Sequence, residues 1–193
     1  MTLPLEKKEL LCLLADNPVI ASVKDESGFA AALGSSAAVL FLLFGDILSV
    51  GELTRRAHAA DKAVFVHLDL VEGLAAREAA VDFIARTTAA DGVLSTKPQL
   101  VRRAKALGLT AIQRFFLLDS MAFQNIEKHL GQDDPDLIEV LPGAMPKVIR
   151  LLTQRTRRPV IAGGLISDKE DVMAALSAGA VAVSSTRADI WSM

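Results

Sequence analysis

Few residue types in this chain can do chemistry. Its 193 residues include three histidines, one cysteine and no tyrosine. One candidate group is Val66-His67-Leu68-Asp69-Leu70-Val71-Glu72. Asp69 and Glu72 can accept hydrogen bonds from ligand hydroxyls, while His67 either orients a neighbour or is a satisfied core histidine. Lys97 supplies a cation, but Pro98 follows it and the pair can simply open a helix. A Schiff-base role for Lys97 would need a pKa depressed by burial. Glu139 sits inside the apolar stretch Leu137-Ile138-Glu139-Val140-Leu141, so its carboxylate must be bonded, to a ligand hydroxyl or to Arg114 or Lys97. Gly163-Gly164 and Ser184-Ser185-Thr186 offer a different chemistry. Glycine lets the backbone approach an anion closely, and hydroxyls and N–H groups donate to its oxygens; the alternative is a tight turn and a routine helix cap. Asp46 and Gln113 complete the polar set. No His-x-His, His-Glu-x-x-His or Cys-x-x-Cys spacing occurs, and neither a phosphate-binding Walker loop nor a dinucleotide glycine fingerprint is present. Neither a metal nor a cofactor is expected, and three histidines with one cysteine leave little room for a catalytic triad.

The elements that must position these groups alternate between strand-like and helix-like patterns. Apolar strands are expected at 19–23, 37–44, 63–67, 92–95, 110–115, 137–141, 160–162 and 180–183. Runs that are apolar on both faces suit a parallel sheet covered on both sides. Helical patterns lie between them. Val101, Ala104 and Leu107 mark one face, ended by Gly108, and another helix follows caps at Asp119 or Ser120 and runs towards His129. Pro146 stands at a helix start, ahead of Val148, Ile149 and Leu152. Ser167 and Glu170 form a capping box, and Gly179 ends that helix. Eight compact βα repeats predict a TIM-like (β/α)8 barrel in a single domain over 1–193. An extra amphipathic helix at 5–15 would cover its N-terminal end, and the last unit keeps only a degenerate helix at 188–193. An open doubly wound sheet fits the same periodicity. In either fold ligands sit at the C-terminal strand ends. This rule picks out Gly45, Ser95, Thr96 and Arg114, and the residues expected to bind a ligand: Asp46, His67, Asp69, Glu72, Lys97, Gln113, Glu139, Gly163, Gly164, Ser184, Ser185 and Thr186.

Composition bounds the rest. The chain is 51% hydrophobic with mean hydropathy +0.37, as a dense α/β core requires. No apolar run reaches membrane-spanning length, and the N-terminus lacks the basic-then-apolar layout of a signal peptide. Cys12 lies in an apolar run and is expected to be a buried structural thiol; with no disulfide partner it fits a cytoplasmic protein. The net charge of -2 argues against nucleic-acid binding by charge alone. Two basic clusters stand out locally: Arg102, Arg103 and Lys105; and Lys147, Arg150, Arg155, Arg157 and Arg158. They are either solvated helix faces or sites for RNA phosphates. His58, beside Arg55 and Arg56, is expected to be solvated.

Several longer stretches carry a family resemblance. They are FLLFGDI at 41–47, VFVHLDLVEGL at 64–74, DGVLST at 91–96, AIQRFFLLDS at 111–120, IEVLPGAMP at 138–146, VIAGGLIS at 160–167 and AGAVAVSST at 178–186. In these the chain resembles the glycerol-3-phosphate-responsive antiterminators, also called glycerol uptake operon antiterminator regulatory proteins. The resemblance implies a TIM-barrel-like fold and a cytoplasmic, non-enzymatic regulator. Such a regulator binds leader mRNA when glycerol 3-phosphate is present and so prevents premature termination; homo-oligomers are compatible with it. Two other functions fit the same residues. One is an isomerase or lyase acting on a phosphorylated triose or sugar, with Asp69, Lys97 and Glu139 as acid–base groups. The other is a metabolite-binding protein that works through a protein partner.

Overall fold

In a computed structural model, residues 5–129 and 135–193 are described; of Asn125 and residues 127–129 only the backbone is. Residues 1–4, part of the stretch read for a leader, lie outside them, as does the side chain of His129.

The described strands are Val19–Val23 (β1), Val39–Leu42 (β2), Ala63–His67 (β3), Gly92–Ser95 (β4), Thr110–Phe116 (β5), Leu137–Leu141 (β6), Val160–Gly163 (β7) and Ala182–Ser185 (β8). All neighbours pair in parallel in sequence order, and β8 returns to β1 through Ile20 opposite Ser184, closing the barrel. The closed barrel settles the choice against an open sheet. The helices are Lys7–Asp16 (α1), Glu26–Leu33 (α2), Val50–Ala59 (α3), Glu78–Thr87 (α4), Pro98–Ala106 (α5), Ser120–His129 (α6), Pro146–Arg155 (α7) and Lys169–Ser177 (α8). A 3₁₀ turn, Ala188–Ile190, stands where a ninth would begin.

Strand alternation divides the apolar residues into two cores. Val19, Leu40, Val64, Val93, Ala111, Ile138, Val160 and Val183 face outward and pack under the helices. Ile20, Phe41, Phe65, Leu94, Ile112, Leu137, Ile161 and Ala182 face inward and fill the lower lumen. Leu10 and Leu14 of α1, one helical turn apart, pack into that inner cluster, so the extra helix closes the floor as expected. Cys12 lies between them on the opposite side of α1 and is exposed, which corrects its expected burial: the run is apolar, but only every third or fourth residue reaches the barrel.

Helix starts follow the local chemistry with one shift. Asp168, not Ser167, caps α8: its carboxylate accepts from the Asp171 N–H at 2.9 Å, while Asp171 accepts from the Ser167 N–H and hydroxyl at 2.9 and 2.8 Å. Asp119 accepts from the Ala122 N–H at 2.7 Å at the start of α6, and Pro146 occupies the first turn of α7. His58 is not simply solvated. Its Nε2 lies 2.8 Å from Asp91, whose carboxylate also accepts the Val64 N–H at 2.8 Å, tying α3 and β3 to the N-terminal end of β4. The partner is 33 residues away in sequence, beyond the reach of any local pattern around the neighbouring arginines.

Candidate binding site at the barrel mouth

Above the apolar floor the lumen turns polar. The inward positions nearest the mouth are Ser22 on β1, His67 on β3, Arg114 on β5, Glu139 on β6, Gly163 on β7 and Ser184 on β8. Arg114 and Glu139 are paired in register, and Arg114 Nε donates to Glu139 Oε2 at 2.5 Å. The other carboxylate oxygen accepts from the Ser184 hydroxyl at 2.5 Å. Glu139 is fully buried, so the two bonds hold its charge where water cannot. Of the partners left open for Glu139, the structure selects Arg114 and adds Ser184.

Gly163 makes this possible by lacking a side chain. A Cβ there would stand 2.5 Å from Ser184 Oγ and 2.7 Å from Glu139 Oε1. Gly164 has φ +74, a conformation that suits glycine, and is followed by Leu165 at φ +59. The turn directs the chain over the lumen, and the Gly143 N–H donates to the Gly163 carbonyl at 2.5 Å.

A cavity of about 110 Å³ opens at this point. Arg114, Glu139, Gly164, Ser184 and Thr186 form its polar wall, with Ser22, and Leu43 and Leu141 add apolar surface. Among the described residues, Nε is the one guanidinium nitrogen of Arg114 with a hydrogen-bond partner, leaving the fork's other donors towards the cavity. Ser185 also borders the cavity, but its hydroxyl is committed: it donates to the Ile166 carbonyl at 2.7 Å and accepts the Arg187 N–H at 3.1 Å. The Trp191 indole N–H donates to the Ser185 carbonyl at 2.8 Å, fastening the C-terminal turn beneath this loop.

A second polar group lies across the mouth. The Asp69 carboxylate accepts from the Ser95 hydroxyl at 3.0 Å, the Thr96 N–H at 2.7 Å and the Thr96 hydroxyl at 2.9 Å. Lys97 Nζ is 3.7 Å away and half-exposed; its residue precedes the first turn of α5, so it serves both as helix start and as cation. Burial pushes the Asp69 carboxyl up, but the Thr96 and Ser95 bonds and the charge of His67 outweigh it and hold it below the usual carboxylate value. His67 is 2% exposed and its Nδ1 has no hydrogen-bond partner. It is therefore a core histidine, but not a satisfied one. Burial first, and the Arg114 charge second, lower its pKa to about 4, so the ring is neutral near pH 7.

The remaining predicted positions are not drawn into the cavity. Asp46 caps a turn, accepting from the Leu48 and Ser49 N–H groups and the Ser49 hydroxyl at 2.8 to 2.9 Å. Glu72 is exposed and joins Asp46 through a backbone bridge. Gln113 is buried on the face of β5 opposite Arg114, towards the helices. Ser22 is outside the strand-end reading, and Arg114 is inside it but not in the expected ligand set. Arg114 immediately follows Gln113, and strand parity alone decides which of the two enters the lumen. Among the described residues, no three His, Cys, Asp or Glu side chains converge as a metal site, and no helix is long and apolar enough to cross a membrane.

A closed eight-stranded parallel barrel, here with a buried arginine–carboxylate pair under a glycine turn, defines a TIM-barrel-like α/β protein. Within that class the chain belongs to the glycerol-3-phosphate responsive antiterminator family, whose model matches residues 19–191. It is 42% identical over 184 residues to the Escherichia coli (strain K12) protein YgcP, covering 95% of this chain and 96% of that one. Its fold matches the glycerol uptake operon antiterminator regulatory protein of Listeria monocytogenes str. 4b F2365 with TM-score 0.88 and 32% identity, over 91% of this chain and 95% of that one. A glycerol uptake operon antiterminator-related protein from Thermotoga maritima MSB8 matches with TM-score 0.79 and 34% identity, over 91% and 98% of the two chains.

Proposed function

We propose that this chain is a non-enzymatic cytoplasmic regulator that takes glycerol 3-phosphate at the barrel mouth and, so loaded, binds leader mRNA and prevents premature termination. The observation that carries the reading is the cavity beside Arg114. A dianionic phosphate needs fixed donors in a site that excludes water, and a guanidinium beside a glycine turn and hydroxyls supplies them. The phosphate would rest against Gly164, Ser184 and Thr186 within reach of Arg114, and the glycerol hydroxyls would face Glu139 and the Asp69–Lys97 group.

The ligand can shift the protein towards an RNA-binding state only by its difference in affinity for the two states. Calorimetry with glycerol 3-phosphate tests the site: wild type should bind, and Arg114→Leu or Gly164→Trp should not. A gel shift with a glycerol-operon leader tests the gating, because equal RNA binding with and without glycerol 3-phosphate would defeat it. The enzyme alternative predicts turnover, so product peaks in an NMR time course with glycerol 3-phosphate or triose phosphates would overturn the non-catalytic reading.

A further inference from the structure

We infer that the outer face of α7, with the groove between α6 and α7, is the surface that holds single-stranded leader RNA. The inference rests on the proposed function and adds the RNA-binding surface. Residues 146–158 contain Lys147, Arg150, Arg155, Arg157 and Arg158 and no aspartate or glutamate, in a chain whose net charge is -2. Ile149 and Leu152 turn inward to the core, which leaves Lys147, Arg150 and Arg155 of the helix on its exposed side. Lys147, Arg150 and Arg157 are exposed and, among the described residues, meet no carboxylate.

The other basic cluster differs in kind. Arg103 is paired with Asp82 at 2.5 Å, and Lys105 with Asp136 at 2.9 Å. Those two cations are neutralised by acids of other elements, whereas Lys147, Arg150 and Arg157 meet no carboxylate among the described residues.

Charge alone would suit any polyanion, and the groove narrows the choice. It is an open space of about 500 Å³ whose walls include Leu117, Phe123, Met145, Val148 and Leu151, with one acid, Asp119, whose carboxylate is engaged by the Ala122 N–H. The Arg155 guanidinium stands 5.4 Å from the centroid of the Phe123 ring, forming a flat cationic and apolar edge. Unstacked bases seat on such surfaces while the phosphates meet neighbouring lysines and arginines. A base-paired helix would bury its bases and leave the groove unused.

The same place is joined to the ligand cavity. Leu117 and Met145 lie on the segments leaving β5 and β6, the strands that carry Arg114 and Glu139. The Leu117 N–H donates to the Leu141 carbonyl at 2.7 Å, coupling the two exits directly. A ligand that repositions Arg114 against Glu139 therefore acts on both walls of the groove.

The test is fluorescence anisotropy with a labelled glycerol-operon leader transcript and saturating glycerol 3-phosphate. The variants are Lys147→Glu/Arg150→Glu/Arg157→Glu, Leu151→Ser, and a Lys7→Glu/Lys8→Glu control on the barrel floor. We expect the triple variant to bind RNA about tenfold or more weakly, with a salt slope smaller by about 0.7 for each phosphate no longer neutralised. Leu151→Ser should weaken binding without changing that slope, and the control should match wild type. Calorimetric binding of glycerol 3-phosphate should be unchanged throughout. Wild-type RNA binding that survives in the triple variant overturns this face and leaves effector-gated RNA binding standing. Absence of RNA binding by wild type overturns both, as does recovery of an acidic protein on this face from RNase-treated lysate by a chain that binds no RNA.

Discussion

Arg114 and Glu139 face each other across the β5–β6 ladder, joined both by register and by a side-chain bond, and they form the boundary between the apolar floor of the lumen and its polar mouth. A buried pair of this kind contributes little over an apolar pair of equal volume, but removing one member leaves the other charge unmatched. Glu139→Ala should therefore lower stability by about 3–5 kcal/mol, read as a fall in the urea midpoint. Arg114→Met combined with Glu139→Leu should recover most of that loss while still failing to bind glycerol 3-phosphate. A double variant as unstable as the single one would show that the pair holds the barrel together.

Gly163 tests the same place by volume. Gly163→Ala places a methyl group against Ser184 Oγ and Glu139 Oε1, neither of which can retreat without losing its bond. The expected cost is about 1–3 kcal/mol, with loss of ligand binding in calorimetry. Ser184→Ala with Gly163→Ala should soften the clash and cost less than the two single changes added together.

Stability should fall with acid in a window set by His67. Its folded pKa is about 4, below the ordinary 6.5, so between these values the unfolded chain binds more protons than the folded one. Stability is then full above about pH 6.5 and is lost as pH falls towards 4, by at most about 3 kcal/mol. The depressed Asp69 carboxyl adds a loss of the same sign at lower pH, below its ordinary value of 3.8. Denaturation midpoints for wild type and His67→Gln across pH 4 to 7 should diverge in slope, the variant being flatter.

Asp91 provides a contrast at the other end of the barrel. Asp91→Ala frees the buried Val64 N–H and the His58 ring, at a cost of about 1–3 kcal/mol in chemical denaturation. Calorimetric affinity for glycerol 3-phosphate should not change, because the mouth groups are anchored by separate bonds.

Strands β1, β3, β4 and β6 have the limits expected from sequence because each is an apolar run broken sharply by polar or turn residues. The 37–44 expectation overran β2 at both ends, since Ala37, Ala38, Leu43 and Phe44 are apolar without joining the ladder. The 180–183 expectation begins two residues early, at the apolar Ala180 and Val181, and stops short of Ser184 and Ser185 because the last residues of β8 are polar. Those two residues border the cavity: strand ends that enter the mouth must break the apolar pattern that announces a strand. The strand-end rule picks out Glu139, Gly164, Ser184 and Thr186, which the structure places around one cavity. It picks out Gln113 and Arg114 alike, because it carries no sidedness; the expected ligand set keeps Gln113, whereas the register turns Arg114 into the lumen. Asp46 and Glu72 carried the right chemistry, yet turn geometry uses one as a cap and leaves the other at the surface.

The α1 helix has a kinetic consequence. With Leu10 and Leu14 stopping the floor, the barrel is a cup with one doorway, and a molecule held beside Arg114 must leave past the loops through which it came in. A polynucleotide held in the α6–α7 groove would not stand in that doorway, so its effect on departure would have to pass through the β5 and β6 exits that the two places share. By reciprocity the effector would be retained more tightly whenever the transcript is aboard.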